Sequence, residues 1–449
     1  MSAEERPDLR PPPDVVWIAR RLEEAGFSTW AVGGAVRDAL AGRRPGDWDL
    51  TTRARPGDVQ RLFRRTVPVG VEHGTVGVLG RDGRMYEVTT FRRDVETYGR
   101  KAKVSFSDSV EDDLERRDFT INAVAWHPLT REVRDPHGGM EDLRAGVLRT
   151  VGDATERFRE DRLRVLRALR FAGRFGLRID PATWEAARAT VPHLKELSAE
   201  RVREELLKLL KEVARPSDSL RLYQESGALR ELYPELERCV GAEDRGREDV
   251  WRHLLRAADA VPRSPAHVLL RLAALLHDAG KPRVEPGPDR SFPGHAEAGA
   301  AAARELLRRI RCSNAETDRV VHLVAQHSGI PGAGAPEPEW RRWLRRVGRE
   351  YVRELIALRI ADCRARAASS PSTVALDRER LAALRRVMRA RAPLEISELA
   401  IGGAELRALG LPPGPLYGEI LRELLEQVTD DPSLNRRETL LEMVRSRIG

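Results

Sequence analysis

Cysteine is scarce. The 449-residue chain has three, Cys239, Cys312 and Cys363, far apart and with no CxxC pair. This excludes a disulfide framework and a zinc ribbon, and it suits a reducing, cytoplasmic setting. No apolar run reaches the roughly 18–20 residues that span a bilayer, so no membrane partner is expected. Residues 1–13 are charged and proline-rich and lack the apolar core of a secretion signal, which reads as a flexible lead-in. There is no fixed-period repeat and no low-complexity tail. Lysine is rare too: nearly all of the 78 basic residues are arginine.

With 41% hydrophobic and 33% charged residues, the chain has the composition of a folded protein, and its length implies two to four domains. The net charge of +8 attracts polyanions, and arginine adds bidentate contacts to phosphate. Acidic residues are also numerous, at 70, so charge alone only tilts the reading toward nucleic acid. Apolar spacing predicts a helix over 14–30, then a strand at Trp30–Val32. Short β-like runs follow at Thr75–Leu79, Tyr86–Thr90, Val104–Phe106 and Val124–Trp126, alternating with helical segments. Beyond residue 154 helical periodicity dominates, broken at Pro216-Ser217, 282–293 and 329–338.

Three constellations carry chemistry. The first is Ala31-Val-Gly-Gly-Ala-Val-Arg-Asp38, a strand running into a Gly-Gly turn and a helix. Gly34 lets backbone N–H groups approach a phosphate, and Arg37 offers a bidentate fork. About ten residues on, Asp47 and Asp49 lie two apart; on a strand they share a face and repel unless a cation sits between them. Mg²⁺ is the natural cation for carboxylates that also meet phosphates. An isolated D-x-D is more often a solvated acidic turn, and the nearby Gly-Gly loop favours the metal. Glu87 is the candidate third carboxylate, with an outward-facing strand residue as the alternative.

The second is Asp161, Arg164, Arg167 and Arg170, spaced by three, which on one helix would line one groove. An Asp beside an Arg presents an acceptor next to a fork of donors. That matches cytosine and adenine, each with an amino group beside a ring acceptor. A solvated Arg-rich helix face is the ordinary alternative. The third is His253, His277, Asp278, His295, His327 and Asp362. These ligand types suit a divalent metal: Mg²⁺, Mn²⁺, Fe²⁺, Ni²⁺ or Zn²⁺.

The first constellation resembles the opening motif of the class II tRNA nucleotidyltransferases and bacterial poly(A) polymerases. His73-Gly-Thr-Val76, Arg116-Arg-Asp-Phe-Thr-Ile-Asn-Ala123, Asp135-Pro-His-Gly-Gly139 with Asp142-Leu143, and Glu160 through Phe171 resemble later motifs of that family in order. The resemblance spans about residues 14–215. It implies a polymerase-β-like head, nucleotide binding by Arg117, and base selection by Asp161 and Arg164, with Arg167 and Arg170 at the triphosphate or the neighbouring surface. A salt bridge from Arg117 to Asp118 is the structural alternative. Between Phe91 and Glu115 the family carries a flexible loop that matters for switching from C to A addition. Here its tip is Tyr98-Gly-Arg-Lys-Ala-Lys103, without the usual proline, which leaves full CCA, CC alone or A alone open. The His/Asp set resembles the HD phosphohydrolases, implying hydrolysis of phosphate esters, plausibly cyclic phosphates at RNA ends. The segment from Leu376, with Ile401-Gly-Gly, resembles the helical tail of these transferases; its Gly-rich turn would either bind an RNA backbone or serve simple helical packing.

The expected fold is α+β: a lead-in at 1–13, a mixed-sheet nucleotidyltransferase head at 14–150, a helical neck at 151–215, an HD domain at 216–375 and a helical RNA-binding tail at 376–449. The expected activity is template-independent addition of C and A from CTP and ATP to tRNA 3′ ends, with Mg²⁺ in the head. A poly(A) polymerase, or an HD phosphohydrolase whose head only docks RNA, are the alternatives. Oligomeric state stays open.

Overall fold

The structure, a computed structural model, describes residues 7–98, 101–244, 248–288, 291–366 and 371–448; for 94–98, 101–104, 244, 248 and 371–377 it describes the backbone alone. The chain divides into two units, residues 1–232 and 233–449.

The first unit opens with helix α1 (Pro13–Glu24), which buries Val15, Ile18 and Leu22. It stops short of residue 30, because Gly26 turns at φ +83° and the next residues enter a strand. Strand β1 (Thr29–Val32) leads into α2 (Gly34–Leu40), then β2 (Asp49–Thr52) and α3 (Pro56–Leu62). Next come β3 (Thr66–Gly70), β4 (Thr75–Leu79), β5 (Met85–Thr90) and the hairpin β6 (Arg92–Tyr98) with β7 (Lys101–Phe106). Helix α4 (Val110–Glu115), β8 (Ala125–Trp126), β9 (Val133–Arg134) and α5 (Gly139–Ala145) complete the head.

One seven-stranded sheet, in the order β3-β4-β5-β2-β1-β8-β9, organises this region. β2 and β5 run parallel with Leu50 beside Val88, and the other neighbours are antiparallel. The mixed sheet expected from the sequence is therefore present. Because side chains alternate along a strand, Leu50, Val76, Val78 and Val88 face one core with α1. The opposite face carries Asp49 and Glu87, and toward β1 it is covered by Val110 and Leu114 of α4 packed with Trp30 and Val32.

The neck consists of α6 (Ala154–Glu160), α7 (Leu163–Phe175), α8 (Pro181–Thr190) and α9 (Ala199–Glu212), with one short parallel pairing of Val147–Leu148 and Arg178–Ile179. Pro216, read as a break, is the first residue of α10 (Pro216–Ser226), where its missing N–H costs nothing. A Cβ on Gly173 of α7 would lie 2.1 Å from Ser219 Oγ, so α10 packs backbone-close onto the neck helix. With α11 (Ala228–Leu232) it falls in the first unit, although the sequence places the next domain from 216.

Among its described residues, the second unit is helical apart from one short pairing, Glu243–Asp244 with Glu248–Asp249. Its helices are α12 (Pro234–Glu237), α13 (Val250–Ala260), α14 (Val268–Leu276), α15 (His295–Arg309), α16 (Asn314–Gln326), α17 (Glu337–Val347), α18 (Val352–Ala365), α19 (Pro371–Arg389), α20 (Gly403–Ala408), α21 (Pro415–Asp430) and α22 (Arg437–Ile448). The last three close a separate small core around Leu406, Ile420, Val428 and Leu440. Among the described residues, no helix is long and apolar enough to cross a membrane.

Candidate active site and metal centre

Trp48 is buried against Trp126, and this inward side chain sets the outward alternation around it. Asp49, the first residue of β2, falls on the open sheet face, and Asp47 precedes the strand on an exposed bend. Only one of the pair is thus on a strand, contrary to the simple D-x-D strand reading. Glu87 sits level with Asp49, since Leu50 and Val88 are in register one residue later on parallel strands. Burial raises the Asp49 carboxyl, Glu87 raises it further and Asp47 adds to this, against the pull of Arg117, to about 6. Glu87 and Asp47 both act on Asp49, and hard oxygen donors of this kind fit a Mg²⁺-type cation.

Gly33, at φ +76°, is the hinge from β1 into α2. A Cβ there would lie 3.2 Å from Arg117 Nη1 and 3.8 Å from Asp49 Oδ2, so glycine lets the turn sit against both. Gly34 follows as the first residue of α2. Arg117 is oriented by buried Asp113, which accepts from Arg117 Nη2 at 3.1 Å and from Arg116 Nη2 at 2.7 Å. The salt bridge from Arg117 to Asp118 considered from sequence is replaced by this one. Asp118 instead accepts from Arg167 Nε at 2.7 Å and from Asn122 at 2.9 Å. Burial pushes Asp118 up, but Arg167, Asn122 and Arg164 outweigh it and hold it at about 2.

Arg116, Arg117, Asp118, Asp161, Arg164, Arg167 and Arg201 line a cavity of about 340 Å³. Four residues singled out from sequence (Arg117, Asp161, Arg164 and Arg167) thus meet in one place. Asp161 is not on the helix with the arginines; it ends α6 in an extended conformation, and α7 begins at Leu163. Its carboxylate accepts from Arg201 Nη2 at 2.6 Å and from the Leu163 N–H at 3.1 Å. Arg164 donates to the Arg157 carbonyl at 3.0 Å and the Arg116 carbonyl at 3.2 Å. Arg201, Asp113 and Arg116 have no role in the sequence reading, and Asp118 enters it only as a salt-bridge partner for Arg117. Asp118 and Arg116 lie in a motif quoted there, whereas nothing local ties Arg201 to Asp161, forty residues away.

Two expected phosphate ligands face elsewhere. Arg37 is buried, donates to Asp38 Oδ1 at 2.9 and 2.7 Å and to Asn122 Oδ1 at 2.6 Å, and lies 4.2 Å from the Phe175 ring centre. Its guanidinium ties α2 to the neck and is not presented to the cleft. Arg170 is equally buried, paired with Glu205 at 2.8 Å and Glu212 at 3.0 Å of α9. The spacing of three walks it round the helix and into the neck core. The tip residues Gly99 and Arg100 of the Tyr98–Lys103 loop lie outside the described residues, as do the side chains beside them. In the tail, the Gly402 N–H is taken by Glu405 Oε2 at 2.9 Å, which favours helical packing for that turn over contact with RNA.

In the second unit, all six His/Asp residues converge. His253 comes from α13, His277 and Asp278 follow α14, His295 opens α15, His327 ends α16 and Asp362 lies on α18. Gly280 makes this closeness feasible: a Cβ there would lie 2.0 Å from the His295 carbonyl oxygen. Each of three rings is locked by its Nδ1 on a carbonyl three residues back: His277 on Ala274 at 2.8 Å, His295 on Phe292 at 2.7 Å and His327 on Val324 at 2.6 Å. With Nδ1 donating, the Nε2 lone pairs are what point inward, the arrangement typical of metal-binding histidines.

Asp278 divides the set. Its Oδ2 lies 3.5 Å from His253 Nε2 and 3.3 Å from His277 Nε2; its Oδ1 lies 3.4 Å from both His295 and His327 Nε2. His253, His277 and Asp278 form one group that could hold an ion, and Asp278, His295 and His327 form another. Asp362 Oδ1 adds to the first, 3.1 Å from His253 Nε2. Burial lowers the affinity of His277 for a proton, but Asp278 and Asp362 overrule it and raise it to about 10. The buried carboxylates demand positive charge, which the Lys281 ammonium, 2.7 Å from Asp278, meets in part.

Three family profiles match the chain: the Poly A polymerase head domain over residues 29–149, a probable RNA and SrmB-binding site of polymerase A over 176–239, and the HD domain over 248–367. The CCA-adding enzyme of Geobacillus stearothermophilus is 45% identical over 205 residues, which covers 45% of this chain and 50% of that protein. That of Leuconostoc mesenteroides is 46% identical over 195 residues, covering 43% and 48%. The match thus spans about half the length of these curated relatives. The solved Bacillus stearothermophilus CCA-adding enzyme in complex with CTP is 32% identical, with 97% of this chain and 99% of that chain covered at a TM-score of 0.75. A Thermotoga maritima CCA-adding enzyme complexed with tRNA shares the fold at 20% identity and a TM-score of 0.59.

Proposed function

Since the chain belongs to the family of CCA-adding enzymes, we propose that it is a template-independent nucleotidyltransferase that adds C and A from CTP and ATP to the 3′ end of tRNA. The observation that carries this reading is Asp49 and Glu87 level on one open sheet face, with Asp47 on the bend just before the strand and the Gly33 turn against Asp49 and Arg117. In the reaction the RNA 3′-oxygen bonds to the α-phosphorus, the α–β anhydride breaks and pyrophosphate leaves. Asp47, Asp49 and Glu87 would hold Mg²⁺, which would supply neutralising charge for the transfer.

The chain's own residues do the rest. Arg117, kept in place by Asp113, offers its guanidinium to the triphosphate beside the Gly33-Gly34 turn. Asp161 accepts from the base amino group while Arg164 donates to the ring acceptor; guanine and uracil, with a carbonyl oxygen in place of the amino group, are rejected. Arg201 and Leu163 hold the Asp161 carboxylate, and Arg167 with Asp118 forms the wall behind the base. Arg37 and Arg170 support these elements from the core. On this reading residues 14–150 are the catalytic head, 151–215 the neck with α10 and α11 packed onto it, the stretch up to 375 the HD region and 376–449 the RNA-binding tail.

The HD centre supports a second activity, hydrolysis of phosphate esters at RNA ends. The inward Nε2 lone pairs and the divided contacts of Asp278 favour divalent-metal binding, for which His253, His277, Asp278, His295, His327 and Asp362 would be the ligands; the metal would supply an activated water for ester hydrolysis.

The test is incubation of the protein and Mg²⁺ with tRNA transcripts lacking all or part of the CCA end, with CTP, ATP or both. Addition of three residues that then stops supports full CCA synthesis. Stopping at CC, or adding A alone to CC ends, marks a split activity. Long A tails would replace the reading with a poly(A) polymerase. Hydrolysis without any incorporation would leave only the HD centre.

A further inference from the structure

The sheet face bearing Asp49 and Glu87 has one covered and one open half. Toward β1 it lies under α4 and beside the arginine-lined cleft. Toward β3 it carries Val67, Val69 and Met85, exposed at 37, 43 and 45%. Register puts them beside the carboxylates: Val67 pairs with Gly77 and Gly77 with Glu87, while Leu79 pairs with Met85 one row along. Directly paired residues share a face. At the ordinary strand spacing of about 5 Å, Gly77 is one strand from Glu87 and Val67 two. Gly77 has no side chain to interrupt the surface: a Cβ there would lie 2.7 Å from Met85 Sδ and 3.0 Å from Val69 Cγ2. The two side chains close over it as one apolar strip ending at the third carboxylate.

We propose that this strip receives the terminal nucleosides of the RNA and so positions the 3′-hydroxyl at Glu87 and Asp49. The inference rests on the nucleotidyltransferase reading. Two substrates must meet at the carboxylates. The nucleotide approaches from the Arg117 side, so the acceptor end comes from the other flank, which is this strip. The acceptor end changes its last base after every addition, so its seat has to tolerate any base. Apolar contact with base and ribose faces is sequence-tolerant where hydrogen-bond readout is not. Arg65 borders the strip at the Leu79–Met85 row, its carbonyl accepting from the Leu79 N–H at 3.0 Å. Arg64 and Arg65 are exposed and, among the described residues, make no ion pair, leaving both for the phosphates of the incoming strand.

The test is steady-state kinetics on tRNA lacking CCA, with the near-isosteric polar pair Val69→Thr/Met85→Gln, the apolar pair Val69→Ile/Met85→Leu, and Val67→Thr as an independent probe. Melting curves identify any variant that fails to fold. The polar variants are expected to raise KM for RNA about tenfold, with KM for CTP and kcat within about twofold. The apolar pair is expected to match the unaltered protein. An unchanged RNA KM in the polar variants, or an equal rise in KM for CTP, overturns the strip while leaving the enzyme. No incorporation by the unaltered protein overturns the nucleotidyltransferase reading and the strip with it.

Discussion

The two sites solve opposite problems around buried or half-buried carboxylates. In the head, the carboxylates stand on an open face and the cations line an open cleft. Each arginine that matters is held by an acid: Arg116 and Arg117 by Asp113, Arg167 by Asp118, while Arg201 holds Asp161. In the HD centre the ligands are almost sealed from water, and backbone carbonyls fix the rings. The head is built to wait for charge that arrives with substrate. The HD centre is built to enclose a positive charge among buried carboxylates. Side-chain ion pairs at a half-exposed surface can re-form around a ligand; buried imidazoles clamped by backbone cannot.

Separate substitutions should break this contrast most visibly. Asp49→Asn is expected to lower nucleotide incorporation about a thousandfold, because the cation loses a charged ligand at the reacting oxygens. Metal bound at the HD centre should stay the same, as elemental analysis of the dialysed protein would show. The reverse experiment is Asp278→Asn. It should weaken metal retention by at least about a hundredfold and abolish any phosphate-ester hydrolysis, while CCA addition stays within about twofold. Loss of incorporation in Asp278→Asn would mean that the two sites are coupled and that the contrast drawn here is wrong.

The acid partners of the arginines predict a pH signature for the head. Asp118 is held at about 2, below the ordinary 3.8, by Arg167 above all. A carboxyl depressed in the folded state stabilises above its unfolded pKa, and that stability is lost as pH falls from about 4 through about 2. Asp118→Asn should therefore cost the first unit about 2 kcal/mol near neutrality. Measured in urea, the gap between the two proteins should shrink steadily between about pH 4 and pH 2. A gap that stays constant across that window would remove ionisation of Asp118 as its cause.

The carboxylate pair, the Gly-Gly turn and the His/Asp set were legible in the sequence because each is local or has ligand chemistry that announces itself. The runs Thr75–Leu79 and Tyr86–Thr90 were legible as strands, the second starting one residue earlier in the structure, and Glu87 was legible as a candidate on it. Spacing misled where it counted turns without asking what faces them. Arg170 continues the ladder of Arg164 and Arg167, yet Glu205 and Glu212 wait for it in the neck core. Arg37 follows the turn as a phosphate ligand would, but Asp38, Asn122 and Phe175 take its whole guanidinium. Helical periodicity also joined Asp161 to the arginine helix, whereas it ends the preceding one. In each case the deciding partner is distant in sequence, so no window along the chain contains it.

Arg201 is the sharpest instance, and it carries the finest prediction. It reaches Asp161 from the first turn of α9, 2.6 Å away, and leaves the cleft-facing carboxylate with one orientation. Removing the fork should not abolish chemistry, since Arg201 lies outside the carboxylate set. It should loosen the acceptor that tells an amino group from a carbonyl oxygen. Arg201→Met is expected to raise UTP incorporation relative to CTP about tenfold, with total incorporation falling by a similar factor. Arg201→Lys keeps the charge but not the planar fork, and should fall between the two proteins if orientation matters. If Arg201→Lys instead behaves as the unaltered protein, then charge alone holds Asp161, and selection in the head depends on electrostatics more than on geometry.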